Sequence, residues 1–318
     1  MKIAVLGATS FIAQELIREW VTCQAKHEVH LYARDLSKVA EFIGKLDTSF
    51  VNLGNFKLDS FPNESCYDVV INFIGAGDPA KTKEMSGKIM DVTFRYDDMV
   101  LCYLEQHQQC KYIFLSSGAA YGGDFAGPAS LDKKASFNIN KIQDSEKYGL
   151  AKFLTEMKHR CKPELSIIDL RVFNFFSRNQ DLTARFFITD LLKSIQNSTV
   201  CNVSPSPMVR DYLHPRDFCQ IINCLIYAEK CNISVDCYSL SPVDKTTLLL
   251  TLEHAYGLRW CYSSDASIME ATGKKSNYYS ENKFLSTLGY KPNFSSLDTI
   301  LTEFEYILSK NKNNNALL

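Results

Sequence analysis

Five apolar runs, "KIAVL", "EVHLYA", "YDVVINFIG", "KYIFLSS" and "LSIIDLRV", recur between residues 2 and 172 and constrain this chain more than any other feature. They are rich in β-branched residues and lack strict polar alternation, which suits strands covered on both faces. Between them "FIAQELIREWV", "VTFRYDDMVLCYLEQH" and "KYGLAKFLTEMKHRC" place apolar residues at helical intervals. Repeated β-α units make a parallel sheet the economical topology, so residues 1–170 are expected to form a doubly wound α/β domain. Beyond Leu170 the pattern turns irregular. It suggests a helix around "ARFFITDLLKSIQ", a turn-rich "NVSPSPMVRDYLHP", a helix from Asp217, a short strand "VDCYSL", and helices near 246–256 and 297–309. Residues 171–318 are therefore expected to build mainly a smaller mixed lobe over the carboxyl ends of the strands, where ligands bind in such sheets. Some of its strands or helices could return to the large domain.

Composition removes several function classes. Lys plus Arg number 35 against 36 Asp plus Glu, a net charge of −1, so no overall bias draws the protein to nucleic acid or an anionic membrane. Any phosphate site must be local. The 11 cysteines are scattered, the closest pair being Cys219 and Cys224, and neither they nor the six histidines show ligand spacing. Reduced thiols and no metal are expected. No apolar run approaches the roughly 20 residues that span a bilayer, and "MKIAVLGA" does not read as a signal peptide. The expected location is cytoplasmic.

"GATSFIAQEL" follows the first run and reads as strand, tight turn and helix start. A dinucleotide-binding loop carries G-x-x-G-x-x-G in this place, to bring backbone N–H groups and a helix N-terminus up to a pyrophosphate. Here the three positions hold Gly7, Ser10 and Ala13. Gly7 supplies the turn, Ser10 is small with a hydroxyl to donate, and Ala13 adds one methyl where helix meets strand. Ser10 would be strained if its backbone needed a positive φ. The cofactor-contact candidates in this loop are Gly7, Thr9, Ser10, Phe11 and Ile12; the bland alternative is a plain strand-turn-helix. At the end of "HLYARD" Ala33 stands where an NAD site places an acidic side chain. Arg34 follows and Lys38 comes one turn later, a pair that suits a 2′-phosphate. NADP(H) is the expected cofactor, with NAD(H) as the alternative.

"EKYGLAKFLTE" places Tyr148 and Lys152 four apart on one helix face. A phenol titrates near 10, so it exchanges protons near neutrality only when its anion is stabilised, as a neighbouring ammonium would do. "FLSSGAAYG" adds Ser116 and Ser117 at the carboxyl end of an expected central strand. With these segments the sequence resembles the extended short-chain dehydrogenase/reductases, a Rossmann-fold family of nucleotide-sugar epimerases, dehydratases and ketoreductases. The resemblance implies a catalytic triad of Ser117, Tyr148 and Lys152. In "DVVINFIGAG" it implies Phe73, Ile74 and Gly75 beside the cofactor, and in "FKLDS" it puts Asp59 beside the adenine. "LRVFNFF" resembles the family's "LRYFNVYG", placing Phe173 near the nicotinamide and Asn174 near the substrate. "VRDYLHPRD" resembles "VRDYIHVxD", giving Arg210 to the substrate diphosphate, and "FLSTLGYKP" resembles the family's C-terminal "LGwkP".

Departures from the family pattern narrow the chemistry. A 4,6-dehydratase carries an Asp-Glu pair directly after its catalytic threonine; here those positions are Gly118 and Ala119. The interval from Ser117 to Tyr148 is longer than usual. The expected activity is NADPH-dependent reduction of a nucleotide-linked 4-keto-6-deoxy sugar, with Lys152 holding the cofactor ribose and lowering the tyrosine. A nucleotide-sugar 4-epimerase is the rival, and a non-catalytic dinucleotide-binding regulator is the rival from another class. The family's pairing of the helices at 92–106 and 148–160 across subunits implies a homodimer.

Overall fold

A computed structural model of the chain describes residues 1–62, 65–75, 85, 87–184, 186–263 and 275–315. In chain order its strands are β1 (Lys2–Leu6), β2 (Glu28–Ala33), β3 (Asn52–Lys57), β4 (Val69–Asn72), β5 (Lys111–Ser117), β6 (Ile167–Val172) and β7 (Asn174–Phe175). Then come β8 (Val200–Val203), β9 (Val209–Arg210), β10 (Tyr212–Leu213), β11 (Asn232–Asp236), β12 (Val243–Asp244), β13 (Arg259–Tyr262) and β14 (Asn277–Tyr278). The helices are α1 (Phe11–Thr22), α2 (Leu36–Ile43), α3 (Lys88–Gln106), α4 (Asp144–Arg160), α5 (Phe187–Gln196), α6 (Pro215–Tyr227), α7 (Lys245–Tyr256) and α8 (Ser296–Asn315).

Seven strands form one parallel sheet in the order β11-β6-β5-β4-β1-β2-β3. The order reverses between β1 and β4, the switch point at whose carboxyl ends ligands bind in such sheets. Alternate residues of β1 feed two cores. Ile3 and Val5 face Leu16, Ile17 and Trp20 of α1 and Phe218, Ile221 and Ile222 of α6. Ala4 and Leu6 face Tyr96, Val100, Leu101 and Leu104 of α3. A separate core of Leu191, Leu192, Leu248, Leu249, Leu252, Ile300 and Phe304 ties α5, α7 and α8 into the small lobe.

Two strands differ from the sequence expectation. β3, "NLGNFK", is an edge strand with mostly half-exposed residues, and its Asn and Gly content hides the β signal. The strand expected at 235–240 lies at Asn232–Asp236 and closes the other edge of the large sheet, in register with β6. The helix expected from Asp217 starts two residues earlier, with Pro215 in its first turn and the His214 side chain accepting from Arg216 N–H at 3.1 Å. Lys111, at the foot of β5, caps the other end of α6 by donating to the carbonyls of Leu225 and Ile226 at 2.8 and 2.9 Å. Among the described residues no helix is long and apolar enough to cross a membrane.

The buried stripe of α4 is polar: Lys152, Thr155, Glu156 and His159 all point into the protein. His159 is fully buried, its Nδ1 2.6 Å from Asp169 Oδ1 and its Nε2 2.7 Å from Asp97 Oδ1. Tyr112 donates to the same Asp97 oxygen and receives a hydrogen bond from Asn72. Burial pushes the imidazole down, but the carboxylates of Asp169 and Asp97 outweigh it and hold the pKa at about 9. A folded value above the unfolded one, about 6.5, means that the stabilisation is complete below that pH and is lost as pH rises through about 9. His159→Gln removes the cation shared by two buried carboxylates but leaves Lys158 on Asp97 and Arg160 on Asp169, and is expected to cost about 1–3 kcal/mol at pH 6. The melting-temperature gap between wild type and variant should shrink between about pH 6.5 and pH 9 and level off above that. A gap that stays constant with pH would show that His159 is not held as an imidazolium.

Candidate active site

The carboxyl end of β5 leads Ser117 into a tight 3-10 turn over Gly118–Tyr121, where its side chain accepts from Ala119 N–H at 3.2 Å. α4 packs on this turn. A capping box between Gln143 and Glu146 fixes the start of the helix, with Gln143 N–H donating to Glu146 at 2.9 Å. Gly149 permits the approach: a Cβ there would stand 2.3 Å from Ala119 O. Gly118 plays the same part toward the small lobe, since its Cβ would meet Phe173 Cδ1 at 2.4 Å. No acidic side chain can occupy that position in this packing.

Lys152 is 3 % exposed, and its ammonium donates to Leu115 O at 2.7 Å while lying 4.3 Å from the Phe114 ring centre. Burial pushes it down to about 8, against the pull of Asp97, Glu156 and Asp169. Tyr148 is half-buried, with its ring centre 5.8 Å from the Lys152 ammonium. Burial raises its phenol, and the hydrogen bond to Ser117 opposes the rise without overcoming it. The Lys152 ammonium is engaged by the Leu115 carbonyl, and desolvation sets the direction of the Tyr148 shift.

The loop after β1 explains its own sequence. Gly7 has φ +77°, and a Cβ there would press on Ile74 N and Cγ1 at 3.1 Å. Ser10 sits at φ −66°, ψ 140°, unstrained, as the N-cap of α1 with no side-chain capping bond. Ala13 is fully buried. The one glycine kept is the one whose backbone requires it. The first turn of α1 carries no acidic residue, so its N–H groups face the crevice with the helix dipole uncompensated. Such a cradle fits a pyrophosphate. Thr9 is exposed, Ile12 half-buried, and Phe11 lies edge-on to Phe175 of the small lobe at 5.5 Å.

The other expected residues divide into two groups. Phe73 is buried at the end of β4, Ile74 N–H is held by Asn72 at 2.9 Å, and a Cβ on Gly75 would stand 3.4 Å from the Lys152 ammonium. Ala76 and Gly77 of that segment lie outside the described residues. Phe173, Asn174 and Arg210 converge on Tyr278: Phe173 at 5.1 Å between ring centres, Asn174 Nδ2 donating to its carbonyl at 3.5 Å, and the Arg210 guanidinium 5.9 Å from its ring. Arg34, Lys38 and Asp59 stay apart from this cluster, at the carboxyl ends of β2 and β3 on the other half of the sheet. Arg34 is exposed, Lys38 is 4.0 Å from Asp35, and Asp59 is 3.8 Å from Arg95.

Three features escaped the sequence reading. Tyr278 brings its hydroxyl to 3.3 Å from Ser117 Oγ. Lys275 places its ammonium 4.6 Å from the Tyr278 ring centre. Gly149 lies inside α4 between Tyr148 and Lys152, and a lone glycine inside a helical pattern was the available signal for close packing.

A model of the NAD dependent epimerase/dehydratase family matches residues 3–234. No curated protein sequence matches. Among solved structures, dTDP-glucose 4,6-dehydratase from Bacillus anthracis in complex with NAD superposes with a TM-score of 0.77 at 14% identity, covering 98% of both chains. UDP-N-acetylglucosamine 4-epimerase from Methanobrevibacter ruminantium, in complex with UDP-N-acetylmuramic acid, gives 0.77 at 15% identity over 97% of this chain and 98% of that one. UDP-glucose 4-epimerase from Bifidobacterium longum, in complex with NAD⁺ and UDP, gives 0.73 at 17% identity over 98% of this chain and 99% of that one. These likenesses establish the fold.

The loop geometry can be tested by dinucleotide titration. Gly7→Ala forces a Cβ into the left-handed region at a cost of about 1–2 kcal/mol and crowds Ile74, so binding is expected to weaken at least about tenfold. Ser10→Gly, at a position with ordinary φ, should leave affinity within about twofold; a large gain would mean that Ser10 obstructs the site.

Proposed function

The chain belongs to the NAD dependent epimerase/dehydratase family, and on that premise we propose that it reduces a nucleotide-linked 4-keto-6-deoxy sugar with NADPH. The observation that carries the reading is the convergence of Ser117, Tyr148 and Lys152 beside Gly75 at the crevice. When bound, the reduced dinucleotide supplies the hydride that converts the sugar carbonyl to an alcohol. Gly7, Ser10 and the first turn of α1 would hold its pyrophosphate, Lys152 its ribose, and Arg34 with Lys38 a 2′-phosphate. Ser117 hydrogen-bonds the carbonyl oxygen, and Tyr148 delivers the proton that completes the hydroxyl. Lys152 keeps that proton mobile: an ammonium at about 8 is easily re-formed near neutrality. Arg210 takes the substrate diphosphate. Leu154 and Met157, exposed on α4, suit the helix pairing of a homodimer.

Dehydration is disfavoured because Gly118 packs on Phe173 and Ala119 offers no acid or base. A non-catalytic reading is disfavoured by the presence of all three reactive side chains. The second reading is 4-epimerisation with the cofactor retained, supported by the fold shared with UDP-sugar 4-epimerases over nearly the whole chain. It needs no further residue.

The fate of the cofactor separates the two. With a nucleotide-linked 4-keto-6-deoxyhexose, NADPH absorbance should fall in proportion to product. Conversion of UDP-glucose to its epimer without added cofactor would put the second reading first. Tyr148→Phe should retain dinucleotide binding and lose turnover by about 10²–10⁴-fold. Arg34→Ala should weaken NADPH by on the order of 1.5–3 kcal/mol and leave NADH unchanged; equal weakening of both would remove the 2′-phosphate contact.

A further inference from the structure

Ser117 has more neighbours than a substrate oxygen and Tyr148. Tyr278, on the far side of the cleft in sequence and in space, places its hydroxyl 3.3 Å from Ser117 Oγ. We propose that Tyr278 is a positioning residue for the reaction: its hydroxyl donates to Ser117 and thereby turns the single Ser117 proton toward the substrate oxygen. The inference rests on the nucleotide-sugar reading above for the identity of that oxygen, and on geometry alone for the hydrogen bond.

A serine hydroxyl has one proton and two lone pairs. One lone pair of Ser117 receives Ala119 N–H at 3.2 Å. If the second receives Tyr278 O–H, both acceptor sites are filled by protein and the remaining proton has only Tyr148 and the ligand to go to. The direction of the Tyr278 bond follows from its surroundings. Burial raises its phenol. The group therefore stays protonated at neutral pH. Among the described residues Ser117 Oγ is the one acceptor recorded for the Tyr278 hydroxyl, so the phenol proton points at Ser117.

Tyr278 is built to hold still. β14 pairs with β9, Tyr278 opposite Arg210. Asn277 N–H donates to Phe125 O at 2.9 Å and its side chain donates to Ala126 O at 2.6 Å. Tyr279 O and Glu281 N–H bracket Ala129, each at 2.8 Å, and Ser280 donates to the buried Asp236 at 2.7 Å. The ring itself sits against Phe125 and Phe173, with centres 4.9 and 5.1 Å away. A side chain tied down on this scale is a wall of the site, and a wall with a fixed hydroxyl can fix the orientation of a rotor that would otherwise turn freely.

The experiment is a double-mutant cycle on the full chain with its bound dinucleotide. Tyr278→Phe keeps the ring and its packing. It is expected to lower kcat about tenfold, with KM within about twofold, because the lost orientation matters most when charge develops on the oxygen. In a Ser117→Ala background the same change should have no further effect, and additive losses would overturn the proposal. A readout independent of substrate is the ¹³Cζ signal of Tyr278 in tyrosine-labelled protein: Ser117→Ala should shift it, and an unmoved signal would also overturn the proposal. If wild type turns over none of a 4-keto-6-deoxy nucleotide sugar, UDP-glucose and UDP-glucuronic acid, the functional reading fails, while the carbon signal still decides whether Tyr278 holds Ser117.

Discussion

The interior position of the Lys152 ammonium is the constraint on which the rest of the site depends. An ammonium taken out of water must be repaid by partners or lose its proton. Here the Leu115 carbonyl accepts one hydrogen bond, and Asp97, Glu156 and Asp169 supply negative potential from behind. Those carboxylates are themselves buried and need their own partners. Asp97 and Asp169 share His159, while Glu156 takes Arg171 Nε through both oxygens at 3.0 Å and Ser234 at 3.1 Å. The polar stripe of α4 is thus one connected structure, in which desolvation of the lysine and the potential of three carboxylates oppose each other. Its value near 8 is the balance of these two pressures.

The same network carries the small lobe to the site. Arg171 donates to Tyr121 OH at 2.6 Å, Tyr121 donates to Asp236 at 2.9 Å, and Ser280 donates to the same carboxylate. Two residues from Ser280 stands Tyr278, and Tyr121 belongs to the turn that opens with Ser117. A charge cluster centred on β6 and β11 therefore fixes both the turn beneath the cleft and the strand above it. β11 comes from the second half of the chain yet closes the edge of the large sheet, which is what lets a carboxylate at position 236 reach residues of both.

How much of this was legible in the sequence follows from which signals are local. The six-strand pattern of "KIAVL" to "LSIIDLRV" lacked only β3, because the runs are apolar on both faces whereas "NLGNFK" is a polar edge. The spacing of Tyr148 and Lys152 was visible because four residues make one helical turn. The loop was legible only in part. Ser10 and Ala13 looked like departures, and their harmlessness depends on a φ of −66° and on the space beside β1, which no residue type declares. Tyr278 was hidden in "KSNYYSEN", since its meaning comes from a contact 161 residues away. The surroundings of Lys152 were hidden for the same kind of reason. The sequence places a lysine one turn away, and only the fold reveals that the lysine is committed to Leu115 O.

Electrostatics across the cleft complete the picture. On one side the carboxylates of Asp97, Glu156 and Asp169 stand behind Lys152. On the other, burial and the neighbouring Arg210 guanidinium push the Lys275 ammonium down to about 8, with Glu146 opposing. Arg210 stands on the same side, its guanidinium 5.9 Å from the Tyr278 ring. A chain with a net charge of −1 has no global means of attracting a diphosphate. Under the proposed function that attraction would be local, from Arg210 and from Lys275, which lies 5.3 and 4.6 Å from the rings of Phe125 and Tyr278. The proposed substrate would then be gripped at its diphosphate by the lobe that carries Tyr278 and met at its sugar by the turn that carries Ser117. Affinity and chemistry would be divided between the two halves of the chain, with the Arg171–Asp236 network holding them in register.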